Sequence, residues 1–156
     1  MPATAATVWA EHAVAELRRA GFRSGGARTA IVELLAHQDC CLTAQEVFDE
    51  LRASGRHAGI ASVYRVLDVL TSMKLVQKLD VGGGVARYEL AHPDGGHHHH
   101  LVCDSCGKVV AFEDEHLEEA LERLGRQLGY VVDAHDVVLR GACRDCGSGR
   151  RRPARR

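Results

Sequence analysis

The 156 residues, 46% hydrophobic and 26% charged, have the composition of an ordinary soluble protein of one large or two small domains. No apolar run approaches the roughly 20 residues of a membrane helix. The segment Met1 to Ala20 carries Glu11, His12, Glu16, Arg18 and Arg19 and so lacks a signal-peptide core, which leads us to expect a cytoplasmic protein without membrane partners. The formal net charge of −1 excludes an overall basic character, so any nucleic-acid contact must come from a local patch.

In chain order, Thr4 to Ala20 is Ala-rich and helix-compatible, with Gly21 as its stop. Ile31, Leu34 and Leu35 recur at helical spacing within Arg28 to Ala36. Thr43 followed three residues later by Glu46 is a capping-box signature, and Ala44, Val47, Phe48 and Leu51 fall on one face of the helix it opens. In Ile60 to Leu70, Val63, Val66, Leu67 and Leu70 form an apolar stripe, which turns Tyr64, Arg65 and Asp68 away from the core. The β-prone runs Leu75 to Val81 and Val85 to Leu90 flank Gly82-Gly83-Gly84 and predict a hairpin. A helix triplet followed by such a wing is a winged helix-turn-helix, whose last helix enters the DNA major groove.

Residues 91–96 contain Pro93, Gly95 and Gly96 and predict a hinge between residues 1–90 and a second unit, 97–147. Strands are predicted over His97 to Val102 and Lys108 to Phe112, followed by a helix with Leu117, Ala120, Leu121, Leu124 and Leu128 on one side. Val131 to Asp133 and Asp136 to Arg140 again look strand-like. The expected class is therefore α+β: a winged helix followed by a small α/β unit, plausibly completed by a second copy. Residues 148–156, with five arginines, read as a solvated, disordered basic tail.

Six cysteines in a cytosolic chain point to metal or redox chemistry rather than disulfides. Cys103-Asp104-Ser105-Cys106 and Cys143-Arg144-Asp145-Cys146 are two CxxC knuckles, the thiolate set of a tetrahedral structural zinc. Directly before the first knuckle stands His97-His98-His99-His100. On a strand, His97 and His99 would line one face and His98 and His100 the other, so one strand can feed two metal sites. Imidazole alone does not choose among zinc, iron, nickel and copper. Each pair needs further donors from elsewhere; Glu118, His135 and Glu89 are candidates, each taken alone being more often a surface residue than a ligand. HExxH and the zinc-deaminase signature are both missing, and a four-thiolate site has no open position, so no enzyme and no small organic substrate are expected. A zinc storage or trafficking protein is the alternative that needs no DNA contact.

From about Ala13 to Cys146 the chain resembles the ferric uptake regulator (Fur) family, in its iron- or zinc-sensing subgroups. The resemblance rests on Gly59-Ile60-Ala61-Ser62-Val63-Tyr64-Arg65-Val66-Leu67, on the run from His97 through Cys103-Asp104-Ser105-Cys106 to Val110, and on the second CxxC. It implies a repressor of metal-homeostasis genes that binds palindromic operators as a metal-loaded homodimer. Carried over, Arg28, Ser62, Tyr64 and Arg65 would meet DNA, and Cys103, Cys106, Cys143 and Cys146 would hold structural Zn2+. His97, His99, Glu118 and His135 match one further site. Glu89, His98 and His100 match the regulatory site, which would take a second divalent ion, Zn2+ or Fe2+. The chain departs from the iron-type pattern at Cys41, where a His is usual, and at Ala111, where a carboxylate is usual, leaving Glu113 or Asp114 as substitutes. A thiolate in place of an imidazole shifts a site towards softer ions such as zinc.

Overall fold

The computed structural model describes residues 5–23, 25–38, 40–91 and 98–147. The chain divides into two compact units, Met1–Pro93 and Asp94–Arg156. No helix among the described residues is long and apolar enough to cross a membrane.

The first unit runs α1 (Ala5–Arg19), α2 (Gly26–Ala36), β1 (Leu42–Thr43), α3 (Ala44–Ala53), α4 (Ile60–Ser72), β2 (Val76–Leu79) and β3 (Arg87–Leu90). Its core is where the apolar stripes converge. Leu17 of α1, Ile31 and Leu35 of α2, Val47 and Leu51 of α3, and Val63, Leu67 and Leu70 of α4 are all buried. Three of the four helices, α1, α3 and α4, end by one device. The N–H of Phe22 reaches the carbonyl of Leu17, that of Arg56 reaches Leu51, and that of Leu75 reaches Leu70, each pair closing a Schellman motif. Gly21 and Gly55 supply the left-handed residue in two of these, whereas Lys74 adopts it in the third at φ 57.

The capping box at α3 forms as expected, with the Glu46 N–H donating to the Thr43 hydroxyl at 3.1 Å and the Thr43 N–H to the Glu46 carboxylate at 2.7 Å. Arg87 of β3 donates to the same carboxylate at 3.1 Å and to the Cys41 carbonyl at 3.3 Å. This tie fixes a strand that periodicity could not predict. The two-residue β1 pairs with β3, Leu42 opposite Tyr88, and makes the expected hairpin a three-stranded sheet in the order β1-β3-β2. The wing turns at Gly82, Gly83 and Gly84, all at positive φ.

The second unit runs β4 (His99–Cys103), β5 (Val109–Phe112), α5 (Glu115–Gln127), β6 (Val138–Gly141) and α6 (Arg144–Gly147). β5 lies antiparallel to β4, whereas β6 lies parallel to it on the other side, with Cys103 opposite Gly141. Asp114 caps α5 by accepting the Leu117 N–H at 2.9 Å. The strand expected over Val131 to Asp133 does not form. After α5 the Tyr130 N–H returns to the Gly125 carbonyl at 2.9 Å, and Val132 folds over the bare Cα of Gly125. Val132 packs against the helix instead of entering a strand, whereas Val131 is left exposed. Residues 92–97 and 148–156, covering the expected hinge, His97 and the basic tail, lie outside the described residues.

A Cβ at Gly125 would stand 2.6 Å from the Val132 Cγ2, well inside contact distance. Gly125→Ala should therefore lower stability by about 1 kcal/mol, the overpacking outweighing the better helix propensity of alanine. Gly125→Ala/Val132→Ala should recover most of that loss in urea denaturation.

Candidate metal centres and nucleic-acid interface

The parallel pairing of β4 with β6 delivers the two knuckles to one place. The Cys103 N–H donates to the Lys108 carbonyl at 2.8 Å, and the Asp104 N–H to the Gly141 carbonyl at 2.7 Å, so the first knuckle is clasped from both sides. The short α6 then turns Cys146 back, its N–H donating to the Cys143 carbonyl at 3.0 Å. The ligand atoms of Cys103, Cys106, Cys143 and Cys146 all lie within 4.8 Å of one another. Cys106 Sγ and Cys143 Sγ are 3.8 Å apart. A tetrahedral ion with Zn–S bonds of about 2.3 Å sets neighbouring sulfurs about 3.8 Å apart, so the set fits zinc.

The electrostatics agree. The N–H of Cys143, 3.3 Å from Cys103 Sγ, together with the N–H groups of Cys106 and Ser105, lowers the Cys103 thiol to about 6. Hydrogen bonding with the Cys143 and Cys106 thiols pushes Cys146 up to about 12. Four thiols this close cannot all ionise without a cation, and the backbone N–H groups around Cys103 favour its thiolate form.

A second cluster lies at the start of β4, four residues before Cys103. His99 is 1% exposed, and its Nε2 is 2.7 Å from Glu118 Oε1. The second carboxylate oxygen, Oε2, is 2.9 Å from His135 Nε2, so Glu118 bridges two imidazoles. Phe112 flanks the His99 ring at 5.5 Å, and the three ligand atoms lie within 4.8 Å. His97, the fourth residue expected here, is outside the described residues.

The residues expected at a regulatory site divide between the units. In the second, the His98 and His100 rings meet edge-on at 4.9 Å, with His100 buried. In the first, Glu89 is buried on β3 and receives a hydrogen bond from the Gln77 amide. Cys41 is 3% exposed, and its thiol is held well above the ordinary range, first by the Cys40 thiol and then by burial. Among the described residues, neither carboxylate suggested as a substitute at Ala111 is drawn into a cluster: Asp114 caps α5, and Glu113 is exposed. Cys40, Gln77 and Arg87 were not singled out from sequence. The adjacency of Cys40 to Cys41 was the visible signal for the first, whereas the other two act through strand pairing that periodicity does not show.

On α4, Tyr64 is 49% exposed, and Arg65 is exposed with its Nε donating to the Ala61 carbonyl at 3.1 Å. Ser62 is half-buried in the first turn, its N–H donating to the Gly59 carbonyl at 2.8 Å. Arg28 lies in the first turn of α2, its guanidinium over the Phe22 ring at 5.4 Å and bonded to the Arg23 carbonyl.

The sequence profile of the ferric uptake regulator family matches residues 19–140. The ferric uptake regulation protein of Bacillus subtilis is 34% identical over 133 residues, covering 84% of this chain and 89% of its own length. The structure resembles the Vibrio cholerae ferric uptake regulator with a TM-score of 0.71 at 31% identity, over 83% of this chain and 98% of that one. It also resembles the iron-containing ferric uptake regulator of Francisella tularensis with a TM-score of 0.69 at 28% identity, over 81% and 95% of the two chains.

Cys103→Ser and Cys146→Ser should each abolish stoichiometric zinc in the purified protein, read by elemental analysis and by chelator release. Because the Cys103 thiol lies below its ordinary value, its thiolate contributes stability above the ordinary thiol range that is lost as pH falls through about 6. Resistance of the zinc to a chelator should fall in the same direction.

Proposed function

The chain belongs to the ferric uptake regulator family, whose members are transcriptional regulators rather than enzymes, and we propose that it is a metal-dependent repressor binding palindromic operator DNA as a homodimer. The observation that carries this reading is the exposed Tyr64–Arg65 face of α4, on a winged helix, in a chain that also gathers clusters of metal donors. The division of labour we propose is residues 1–90 for DNA, 91–96 as hinge, 97–147 for dimerisation and metal, and 148–156 as a basic tail. The protein would act in the cytoplasm on genes of metal uptake or homeostasis.

Cys103, Cys106, Cys143 and Cys146 would hold a structural Zn2+. His99, Glu118 and His135, with His97, would form a second site. Glu89, His98, His100 and Cys41 would form the regulatory one, holding Zn2+ or Fe2+. When bound there, a divalent cation neutralises the Glu89 carboxylate and gives both units a common ligand. Since the regulatory donors belong to both units, occupancy favours one arrangement of winged helix and dimer by the difference in affinity between arrangements. A coupling of about 1–3 kcal/mol corresponds to a 5- to 150-fold change in operator affinity. In the groove, Arg65 and Tyr64 would contact bases and backbone, Ser62 the backbone at the helix start, and Arg28 a flanking phosphate.

Exposed apolar side chains on the second unit support a homodimer. Leu101 and Val110 on the sheet, Leu139 on its edge, and Leu124, Leu128 and Val131 around α5 are all open, Val131 to 89%. A second copy is the partner that covers such a surface twice with the same residues.

With labile metal removed, fluorescence anisotropy on the protein's own promoter should show operator binding tightened by one of zinc, ferrous iron, manganese or nickel at fixed salt. Indifference to every ion would overturn the regulatory reading. Arg65→Ala should weaken operator binding by about 1–3 kcal/mol while leaving metal content unchanged. Glu89→Ala should abolish the metal-dependent tightening and leave the fold intact by circular dichroism. Leu124→Asp should shift the sedimentation profile from dimer to monomer.

A further inference from the structure

The cysteine before the expected ligand is as well placed as the ligand itself. Cys40 and Cys41 are neighbours in sequence, yet their sulfurs lie 3.8 Å apart. That separation equals the one between Cys106 and Cys143 in the four-thiol cluster. It is the edge expected for two thiolates on one tetrahedral ion with bonds of about 2.3 Å, and far longer than a disulfide of about 2.05 Å. Along a regular strand successive side chains diverge to opposite faces. Here Cys40 sits in a bend just before β1, which turns its side chain towards that of its neighbour.

The surroundings suit a cation. Continuing the register Thr43–Arg87 and Leu42–Tyr88 by one residue sets Cys41 opposite Glu89. Glu89 is therefore carried on the central strand next to the segment that bears the thiol pair, and its carboxylate is buried there. Arg87 anchors the segment through the Cys41 carbonyl at 3.3 Å. Cys40 is half-buried and so reachable from solvent, whereas Cys41 is buried.

We infer that Cys40 and Cys41 act together as a dithiolate that holds a soft divalent ion of the zinc class in the first unit. This deepens the regulatory site proposed above and rests on that reading for its consequence, though not for its chemistry. Two thiolates bias the site against the hard ions manganese and magnesium and towards zinc, more strongly than Cys41 alone would. Cys40 becomes the selectivity residue of the site.

The test uses the full chain, reduced and anaerobic, with its four-thiolate zinc retained and verified by elemental analysis. Cobalt(II) is added as a spectroscopic stand-in for zinc, and sulfur-to-cobalt charge-transfer absorption is followed. The histidine and carboxylate cluster at Glu118 has no sulfur, so new absorption reports the dithiolate. One equivalent of cobalt should develop the band, Cys40→Ser and Cys41→Ser should each lose about half of it, and the double variant should lose it all. Cys40→Ser should also weaken labile zinc by more than about tenfold in chelator competition, since even ligand-supporting neighbours are worth 10- to 100-fold. An unchanged band in Cys40→Ser, or none in the parent, overturns the inference. Operator anisotropy on the same samples separates the two ideas. Cobalt on the thiols without tighter operator binding would sink the repressor reading alone. Metal-tightened binding without charge transfer would sink the dithiolate alone.

Discussion

The register of β6 against β4 is the constraint on which the second unit depends. Parallel pairing that sets Gly141 opposite Cys103 brings the second knuckle beside the first, and a shift of one residue would turn its side chains to the wrong face. The same strand leaves His99 pointing inwards at Glu118, and the turn after α5, seated on Gly125, returns the chain so that His135 meets the other oxygen of that carboxylate. One strand therefore serves two donor clusters, its first residue, His99, and its last, Cys103, being fixed by the same backbone ladder.

In the first unit the corresponding tie is the Glu46 carboxylate. It closes the capping box of α3 and receives Arg87 from β3, so the start of a helix, the short β1 and the last strand of the wing meet at one anion. The thiols of Cys40 and Cys41 precede β1 directly and inherit that rigidity. Cys40, Cys41 and Glu89 thus belong to the same compact unit as the helix bearing Tyr64 and Arg65, whose core joins α3, α4 and β3.

Much of this was legible in the sequence because it is carried by local rules. The stripes of α3 and α4, the capping box, the wing with its three glycines and the paired knuckles each depend on residues a few positions apart. Long-range pairing was not legible: β1 is two residues long, and nothing in its composition announces β3 as its partner. Val131 to Asp133 look like a strand because they are β-branched and apolar, but tertiary packing over Gly125 overrides that propensity. Glu113 and Asp114 were indistinguishable as replacement ligands until the helix start was fixed, at which point Asp114 was committed to the Leu117 N–H. Cys40 stands beside Cys41 in the sequence, but only the bend before β1 brings the two sulfurs to 3.8 Å.

The strand order of the second sheet also bears on how quickly the protein matures. Cys103 and Cys143 are 40 positions apart, and bringing such distant points together costs about 3 kcal/mol in chain entropy before the sheet returns any of it. Non-local parallel pairing is slow to form, so this half is expected to fold last and open first. A chain waiting for zinc would expose β6 and the apolar side of α5 to proteases. Zinc supply would then set how much of the protein survives, apart from anything an ion does to its grip on DNA.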